Sequence, residues 1–167
     1  MVDVVLATWL AVLLSPLMLA IALAVRLSSR GPIFFAQDRI GLRGRRFRML
    51  KFRTMRAGVR RYARSPASSS DPRLTRIGSW LRRFSLDELP QLWNVVRGEM
   101  SLVGPRPEMP YIVRRYSREE RRRLEALPGI TGLWQISHAR ACPIHHNLQY
   151  DLEYIARRSL AFDLIIL

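Results

Sequence analysis

The sequence contains very little cysteine and lysine, and its first 25 positions contain no basic residue. Cys142 is the only cysteine, so no disulfide can form within the chain, which is typical of a protein in a reducing compartment. Nothing in the sequence around Cys142 marks an activated thiol, and an inert cysteine is the more common case. Lys51 is the only lysine among 28 basic residues, so its position stands out.

The rest of the chain is strongly basic. With 167 residues and 49% hydrophobic residues, the chain is long and apolar enough for one domain with a core, which excludes a fully disordered protein. The net charge of +15 indicates an anionic partner. Three classes of partner fit this charge: nucleic acid, an anionic membrane surface, or phosphorylated substrates.

Residues 4–25 form an uncharged run of 22 residues, which is long enough to cross a bilayer. A secretory signal peptide fits poorly because no basic segment precedes this long run. Ser15-Pro16 lies at its centre and predicts a break, since proline removes a backbone donor. Length favours a kinked spanning helix, and the alternative is a re-entrant helix. Either topology places the basic remainder in the cytoplasm by the positive-inside rule. A cluster near the anionic head groups is predicted from Arg26, Arg30, Arg39, Arg43, Arg45 and Arg46.

The remaining pattern predicts a hairpin followed by helices. Strands are expected at residues 33–36 and 47–52, joined by a turn at residues 41–44. Residues 57–72 are predicted to be a mobile loop. A helix over residues 86–96 is predicted, with Ser85 as its cap and Glu88 reaching back to it. Further helices are predicted at residues 108–116, 118–126 and 146–157, and a rigid turn at 128–132. Residues 159–167 fit an interfacial helix or a core segment.

The adjacent carboxylates Asp87 and Glu88 are the first candidate functional motif. Such a pair can hold a divalent cation, or one carboxylate can attack a phosphoryl centre while the other assists it. The structural alternative is that both residues only complement the start of a helix.

Two basic motifs also suit phosphate. In Gly104-Pro105-Arg106-Pro107 the prolines restrict the backbone and present a guanidinium that can bind phosphate in a bidentate way. Lys51 and Arg53 stand at a strand end, where they suit a pyrophosphate. An ordinary turn and a solvated edge strand are the respective alternatives.

Taken together, these motifs resemble the bacterial sugar transferases, the monotopic phosphoglycosyltransferases that initiate surface-glycan assembly. The resemblance extends over almost the whole chain. The matching positions are Ser15-Pro16, Gly31-Pro32-Ile33-Phe34-Phe35, Gln37, Arg39, Gly41, Lys51-Phe52-Arg53-Thr54-Met55, Arg82, Ser85 to Val95, Arg97 to Pro107, Pro128 to Gln135, Asp151 and Tyr154.

The resemblance implies an α+β, mostly helical fold: a small cytosolic domain with a short β-hairpin. Residues 1–27 would form a re-entrant membrane anchor broken at Ser15-Pro16, which replaces the spanning helix favoured by length. Residues 28–167 would form the catalytic domain. The expected location is the cytoplasmic face of the bacterial inner membrane.

The resemblance also implies a reaction and its site. Asp87 would attack the β-phosphate of a UDP-sugar, release UMP and form a covalent phosphosugar intermediate. The sugar phosphate would then pass to undecaprenyl phosphate, the first membrane step of surface-glycan or exopolysaccharide synthesis. Asp87 and Glu88 would bind Mg²⁺, and Lys51, Arg82 and Arg106 would bind phosphate. Inner-membrane lipids are further expected partners, and self-association is left open.

One loop departs from the family pattern, because Ser137 is followed by His138 and Ala139, with Arg140 one place late. This departure bears on sugar preference, and it keeps an inactive membrane scaffold as an alternative, against which the intact Asp87-Glu88 pair argues. A nucleic-acid-binding module is the other alternative that the charge supports. The apolar run and the lack of a recognised nucleic-acid motif argue against it, so no nucleic-acid partner is expected.

Overall fold

Two apolar helices begin the chain and meet at a sharp bend. The computed structural model of the protein describes residues 2–59, 66, 68, 70–142, 144 and 147–167. The helices α1 (Val2–Leu13) and α2 (Ser15–Ser28) are bent by 62° relative to each other. Ser15 Oγ donates to the carbonyl of Val12 at 2.7 Å, and Pro16 has no amide to donate. The predicted break at Ser15-Pro16 is therefore confirmed.

The bend divides the apolar run into two helices, each of which is shorter than a membrane-spanning helix. Within the described residues, no single helix is long and apolar enough to cross a bilayer. The bent pair α1 and α2 reaches the required length and composition only when the two helices are taken together.

The predicted hairpin is confirmed, with a longer first strand. Strand β1 (Phe34–Ile40) pairs antiparallel with β2 (Arg46–Phe52), and the turn contains a 3-10 segment at Leu42–Gly44. The pairing continues to Ile40, beyond the predicted end at residue 36, because Gln37 and Ile40 are buried. Arg43 and Gly44 take left-handed backbone conformations that close the turn.

The predicted helix over residues 86–96 is divided in two. Residues Leu86–Gln91 form a 3-10 helix, and an α-helix, named α4 below, covers Leu92–Val96. Pro90 accounts for the division, since it cannot donate a hydrogen bond within a continuous α-helix. The predicted cap is wrong, because Ser85 has a left-handed backbone and its side chain caps nothing. The Glu88 carboxylate binds cations instead.

Helices make up most of the rest of the chain, and short parallel strands cross between them. In order, the elements are α3 (Arg76–Arg83), α4, β3 (Ser101–Val103), α5 (Pro110–Val113), a 3-10 helix (Glu120–Glu125), β4 (Gly129–Thr131), α6 (Leu133–Ile136), a 3-10 helix (His138–Ala141), α7 (Leu148–Arg157) and α8 (Leu160–Ile166). The helix predicted at residues 108–116 is thus shorter than expected, and the one predicted at residues 118–126 is a shorter 3-10 helix. Residue 146 and much of the predicted 57–72 loop lie outside the described residues.

The predicted rigid turn at residues 128–132 is instead strand β4, which pairs in parallel with β3. The two strands approach closely because glycines face each other. A Cβ on Gly129 would lie 2.1 Å from the nitrogen of Gly104, and one on Gly132 would lie 2.2 Å from the Gly104 oxygen. Side chains at these positions would separate the strands.

The first helix belongs to the core of the domain. Ala7 of α1 belongs to one buried hydrophobic cluster with residues of β2, β3, α4, α7 and α8, and Asp3 accepts a hydrogen bond from Ser101. Ile21 and Val25 of α2 pack with Phe52 and Leu81. The fold is therefore mostly helical α+β with a short hairpin, as predicted, and the division at residue 27 stays a prediction. In α8, Phe162 and Ile166 are buried, whereas its other large apolar side chains are exposed.

Candidate active site

All five residues predicted to form the site line one cleft of about 1710 Å³. They come from four separate parts of the fold. The residues are Lys51 on β2, Arg82 on α3, Asp87 and Glu88 on the 3-10 helix Leu86–Gln91, and Arg106 on the loop after β3. The fold thus brings the two acidic and three basic residues together, while their chemical roles stay predictions.

Glu88 lies between two cations. Lys51 Nζ is 2.6 Å from its Oε1 atom, and Arg106 Nη2 is 3.2 Å from the same oxygen. Burial opposes ionisation of the carboxyl, but Lys51 and Arg106 outweigh burial and lower the pKa of Glu88 to about 2. Glu88 is therefore ionised at neutral pH and fixes both cations at the cleft wall.

The neighbouring Asp87 has a different environment. Only 5% of this residue is exposed, and burial raises the pKa of its carboxyl. Lys51 opposes this rise in pKa, and the negative charge of Glu88 adds to it. A poorly solvated carboxylate with a raised pKa is a stronger base and nucleophile than one in water. The two adjacent acids are thus tuned in opposite directions.

Lys51 is confined by the same cluster. Its side chain is 17% exposed, and burial lowers the pKa of its ammonium group, while Glu88 acts in the opposite direction. Lys51 therefore depends on Glu88 for its charge and its position.

Arg106 faces the cleft from a rigid loop. Pro105 and Pro107 restrict the backbone on both sides. Its side chain is 30% exposed, and the guanidinium lies 5.8 Å from the centre of the Trp134 ring. The aromatic face and Glu88 orient the guanidinium towards the cleft.

Trp134 and the loop that follows it support this arrangement. The Trp134 indole donates to the carbonyl of Ala139 at 3.2 Å, and Ser137 Oγ accepts from the Ala139 amide at 3.2 Å. The segment that departs from the family pattern therefore holds the ring beside Arg106. The Arg140 side chain lies outside the described residues.

Arg39 is a cleft residue that the sequence analysis placed in the surface cluster near the head groups. It lines the cleft and donates to Gln37 at 2.7 Å and to the carbonyl of Pro107 at 3.1 Å. Burial, and then the charge of Arg106, lower the pKa of Arg39 to about 10. The matching Gln37 and Arg39 positions were the signal that could have identified it.

Arg53 serves the fold instead of the cleft. Its side chain donates to the carbonyls of Val25, Ser29 and Arg30 at the end of α2. These bonds satisfy carbonyls that a helix end leaves without partners. The suggestion that Arg53 joins Lys51 on a pyrophosphate is therefore wrong, because Arg53 is buried and, unlike Lys51, does not line the cleft.

Apolar side chains also line the cleft, which reaches the bend between the first two helices. Leu10 of α1 and Leu14 at the bend are both lining residues. Further aliphatic lining residues include Leu89, Leu92, Leu102 and Ile130. One cleft thus combines charged residues with aliphatic side chains.

The acidic pair has the chemistry of a magnesium site completed by substrate. The described residues contain no group of three or more histidine, cysteine, aspartate or glutamate side chains able to hold a metal. Magnesium needs fewer protein ligands, because it commonly takes one or two carboxylates together with waters and substrate phosphates. Asp87 and Glu88 fit this pattern.

Comparison with known proteins assigns the family. The model for bacterial sugar transferases matches residues 1–167, and the chain belongs to this family. It is 46% identical over 161 residues to the UDP-glucose:undecaprenyl-phosphate glucose-1-phosphate transferase of Xanthomonas campestris pv. campestris, covering 91% of this chain and 33% of that protein. It is 40% identical over 179 residues to the exopolysaccharide production protein ExoY of Sinorhizobium fredii, covering 98% and 79%.

A third relative is the UDP-glucose:undecaprenyl-phosphate glucose-1-phosphate transferase of Caulobacter vibrioides, which is 44% identical over 172 residues. The alignment covers 98% of this chain and 64% of that relative. The chain spans only about a third of the Xanthomonas protein.

Proposed function

We propose that this chain transfers a sugar 1-phosphate from a UDP-sugar to undecaprenyl phosphate, the first membrane step of a bacterial surface glycan. The observation that carries the proposal is a single cleft lined by both charged and aliphatic residues. Its charged residues suit a diphosphate, and its aliphatic residues, among them Leu10 and Leu14, suit a polyprenyl chain. The names of the relatives, which specify UDP-glucose and undecaprenyl phosphate, support both substrates.

The proposed reaction has two displacements at one phosphorus atom. A carboxylate oxygen of Asp87 attacks the β-phosphorus of the UDP-sugar, and the bond to the oxygen bridging both phosphates breaks, so UMP leaves. An oxygen of undecaprenyl phosphate then attacks the same phosphorus. The bond to Asp87 breaks, which frees the carboxylate and yields undecaprenyl diphosphate sugar.

The cations of the cleft would offset the charge of the reacting phosphates. Lys51, Arg82 and Arg106 all line the cleft beside Asp87, and substrate and acceptor together bring three phosphate groups to it. Asp87 and Glu88 would hold Mg²⁺, and the chemistry that the ion would supply is positive charge to offset that of the diphosphate. Glu88 holds Lys51 and Arg106 at the cleft wall before substrate arrives.

The bent helix pair would hold the domain at the cytoplasmic face of the inner membrane. In a re-entrant arrangement α1 and α2 enter and leave the same leaflet, and lipid offers no partner to backbone groups freed at the bend. Ser15 Oγ satisfies one of these groups, the carbonyl of Val12. Holding the acceptor lipid and the nucleophile at one surface lowers the entropic cost of bringing them together.

The direct test is UMP release. The purified protein is incubated with undecaprenyl phosphate, Mg²⁺ and each of a panel of UDP-sugars. UMP release together with a new lipid-linked sugar is expected for at least one UDP-sugar. Absence of both products across the panel would argue for the inactive scaffold.

Replacing Lys51 or Arg106 by alanine should weaken catalysis without unfolding the domain. Loss of one cation that stabilises the reacting phosphates should lower kcat/KM by roughly 100-fold. Arg106→Lys should recover only part of the activity, because an ammonium cannot form a bidentate fork. Steady-state kinetics and circular dichroism check these expectations. Arg97→Ala, an exposed arginine that does not line the cleft, is the matched control. Wild-type kinetics in both alanine variants would exclude a phosphate role.

Labelling of single cysteines should show that residue 2 lies in the cytoplasm. In a Cys142→Ser background, Val2→Cys should resist an impermeant thiol reagent in intact cells and react after lysis. Glu153→Cys, at an exposed position of α7, is the cytoplasmic reference. Reaction of Val2→Cys but not of Glu153→Cys in intact cells would show a spanning helix. Adding Pro16→Leu should straighten the bend and increase the labelled fraction.

A further inference from the structure

The loop that carries Arg106 is held by an unusual set of contacts to its carbonyl groups. Prolines at 105 and 107 leave this loop few amide donors of its own. Each carbonyl from residue 105 to residue 108 instead accepts a hydrogen bond from another part of the chain. In order, the donors are the amide of Gly129 at 3.0 Å, Nη2 of Arg123 at 2.6 Å, Nη1 of Arg39 at 3.1 Å and the amide of Ile40 at 2.9 Å.

Arg123 is the donor whose purpose the cleft does not explain. Its side chain is only 2% exposed and does not line the cleft. Besides the Arg106 carbonyl, it donates to the Tyr116 hydroxyl and to the Asp151 carboxylate on α7. Asp151 is equally buried. The two charges are thus removed from solvent behind the loop.

A buried ion pair contributes little to stability, because the cost of desolvating both charges offsets their attraction. Its geometry is well defined, however, and the contact with the Arg106 carbonyl transmits that geometry to the loop. Arg106 must meet both Glu88 and the face of Trp134. The direction of the Arg106 side chain depends on the orientation of the backbone at residue 106. The hydrogen bond from Arg123 to the Arg106 carbonyl holds that orientation.

We propose that Arg123, held by Asp151, is a positioning residue that orients Arg106 for phosphate binding. This inference rests on the proposed function, because it concerns how the same site binds its substrate. Arg123 acts through the backbone of Arg106 and touches no substrate. Its contribution should therefore disappear when the Arg106 side chain is absent.

A double-mutant cycle tests this dependence. Arg123→Lys keeps a positive charge beside Asp151 but lacks the fork that reaches several acceptors at once. It should lower kcat/KM by roughly 10-fold, the size expected for one charge-assisted hydrogen bond. In an Arg106→Ala background the same change should cost less than about 2-fold, because coupled residues are not additive. Equal losses in both backgrounds would overturn the proposal.

A measurement without substrate separates this proposal from the proposed function. Hydrogen–deuterium exchange of residues 104–109 should be faster in Arg123→Lys than in the wild type, and unchanged in Arg97→Ala. Unchanged exchange in Arg123→Lys would overturn the positioning role. If the wild type releases no UMP, the proposed function fails and the exchange data alone decide the positioning role. If Arg123→Lys does not fold, the neutral pair Arg123→Met with Asp151→Asn takes its place in both experiments.

Discussion

Replacing Asp87 with asparagine should abolish turnover and, at the same time, make the protein more stable at neutral pH. Loss of the nucleophile should reduce UMP release by more than about 10⁴-fold. The phosphosugar adduct, detected by intact-protein mass spectrometry, should also disappear. Asparagine has nearly the same shape as aspartate, so the cleft should otherwise persist. Near-normal UMP release by Asp87→Asn would exclude Asp87 as the nucleophile.

The gain in stability follows from the direction of the pKa shift. Burial raises the pKa of folded Asp87 above its ordinary value of 3.8, so the ionised form opposes folding. This cost is absent below pH 3.8 and grows as pH rises through the raised folded pKa. Asp87→Asn removes the cost, and each kcal/mol so relieved should raise Tm by roughly 2–4 °C. Thermal melts of the wild type and of Asp87→Asn at pH 7 and pH 4 check this: the difference in Tm between the two proteins should be smaller at pH 4.

Glu88→Gln should have the opposite effect on stability. The folded pKa of Glu88 is lowered from 4.5 to about 2, so its ion pairs stabilise the fold above pH 4.5 and are lost as pH falls towards 2. Glutamine at this position leaves Lys51 buried without its counter-charge and should lower Tm at pH 7. Glu153→Gln, at an exposed position of α7, is the control, because it removes only a solvent-exposed ion pair with Arg157.

Removal of divalent metal should abolish activity completely and reversibly. Excess chelator should reduce UMP release to background, and added Mg²⁺ should restore it, because the diphosphate would bind as a metal complex. Full activity in chelator would exclude the metal.

Binding of UDP, measured as a rise in Tm without turnover, should show the same dependence on Mg²⁺. Two carboxylates, one of them already paired with Lys51 and Arg106, form an incomplete set of ligands. Mg²⁺ alone should therefore leave Tm unchanged, whereas Mg²⁺ with UDP should raise Tm more than UDP alone. Asp87→Asn and Glu88→Gln should each remove this increment. An increment that persists in both variants would place the metal elsewhere.

Local signals predicted the parts of the fold in which neighbouring residues decide the structure. The break at Ser15-Pro16 and the hairpin follow from proline and turn chemistry, and both are confirmed. The predicted cap at Ser85 is wrong because the Glu88 side chain makes a contact with a residue distant in sequence. Glu88 could not cap the helix and also bind Lys51, which lies 37 residues away.

The cleft was predicted only where motifs identified its residues. Lys51, Asp87 and Arg106 each stood in a recognisable pattern, and all three line the cleft. The network behind Arg106 was not predicted, because Arg123 and Asp151 are 28 residues apart and only the fold joins them. Strand β4 was missed for the same reason. Three residues that pair in parallel with a distant partner carry no periodic signal of their own.

The contact between Asp3 and Ser101 has a consequence for the order of folding during synthesis. The two residues are 98 positions apart, and Ala7 likewise needs core partners from β2, β3 and α7. When α1 leaves the ribosome, none of these partners exists yet. In the membrane-anchored arrangement proposed above, the apolar helix pair would meet lipid first, while translation continues. The rest of the domain would then assemble against an inserted helix, and a ribosome stalled before residue 101 should leave α1 accessible from the lipid side.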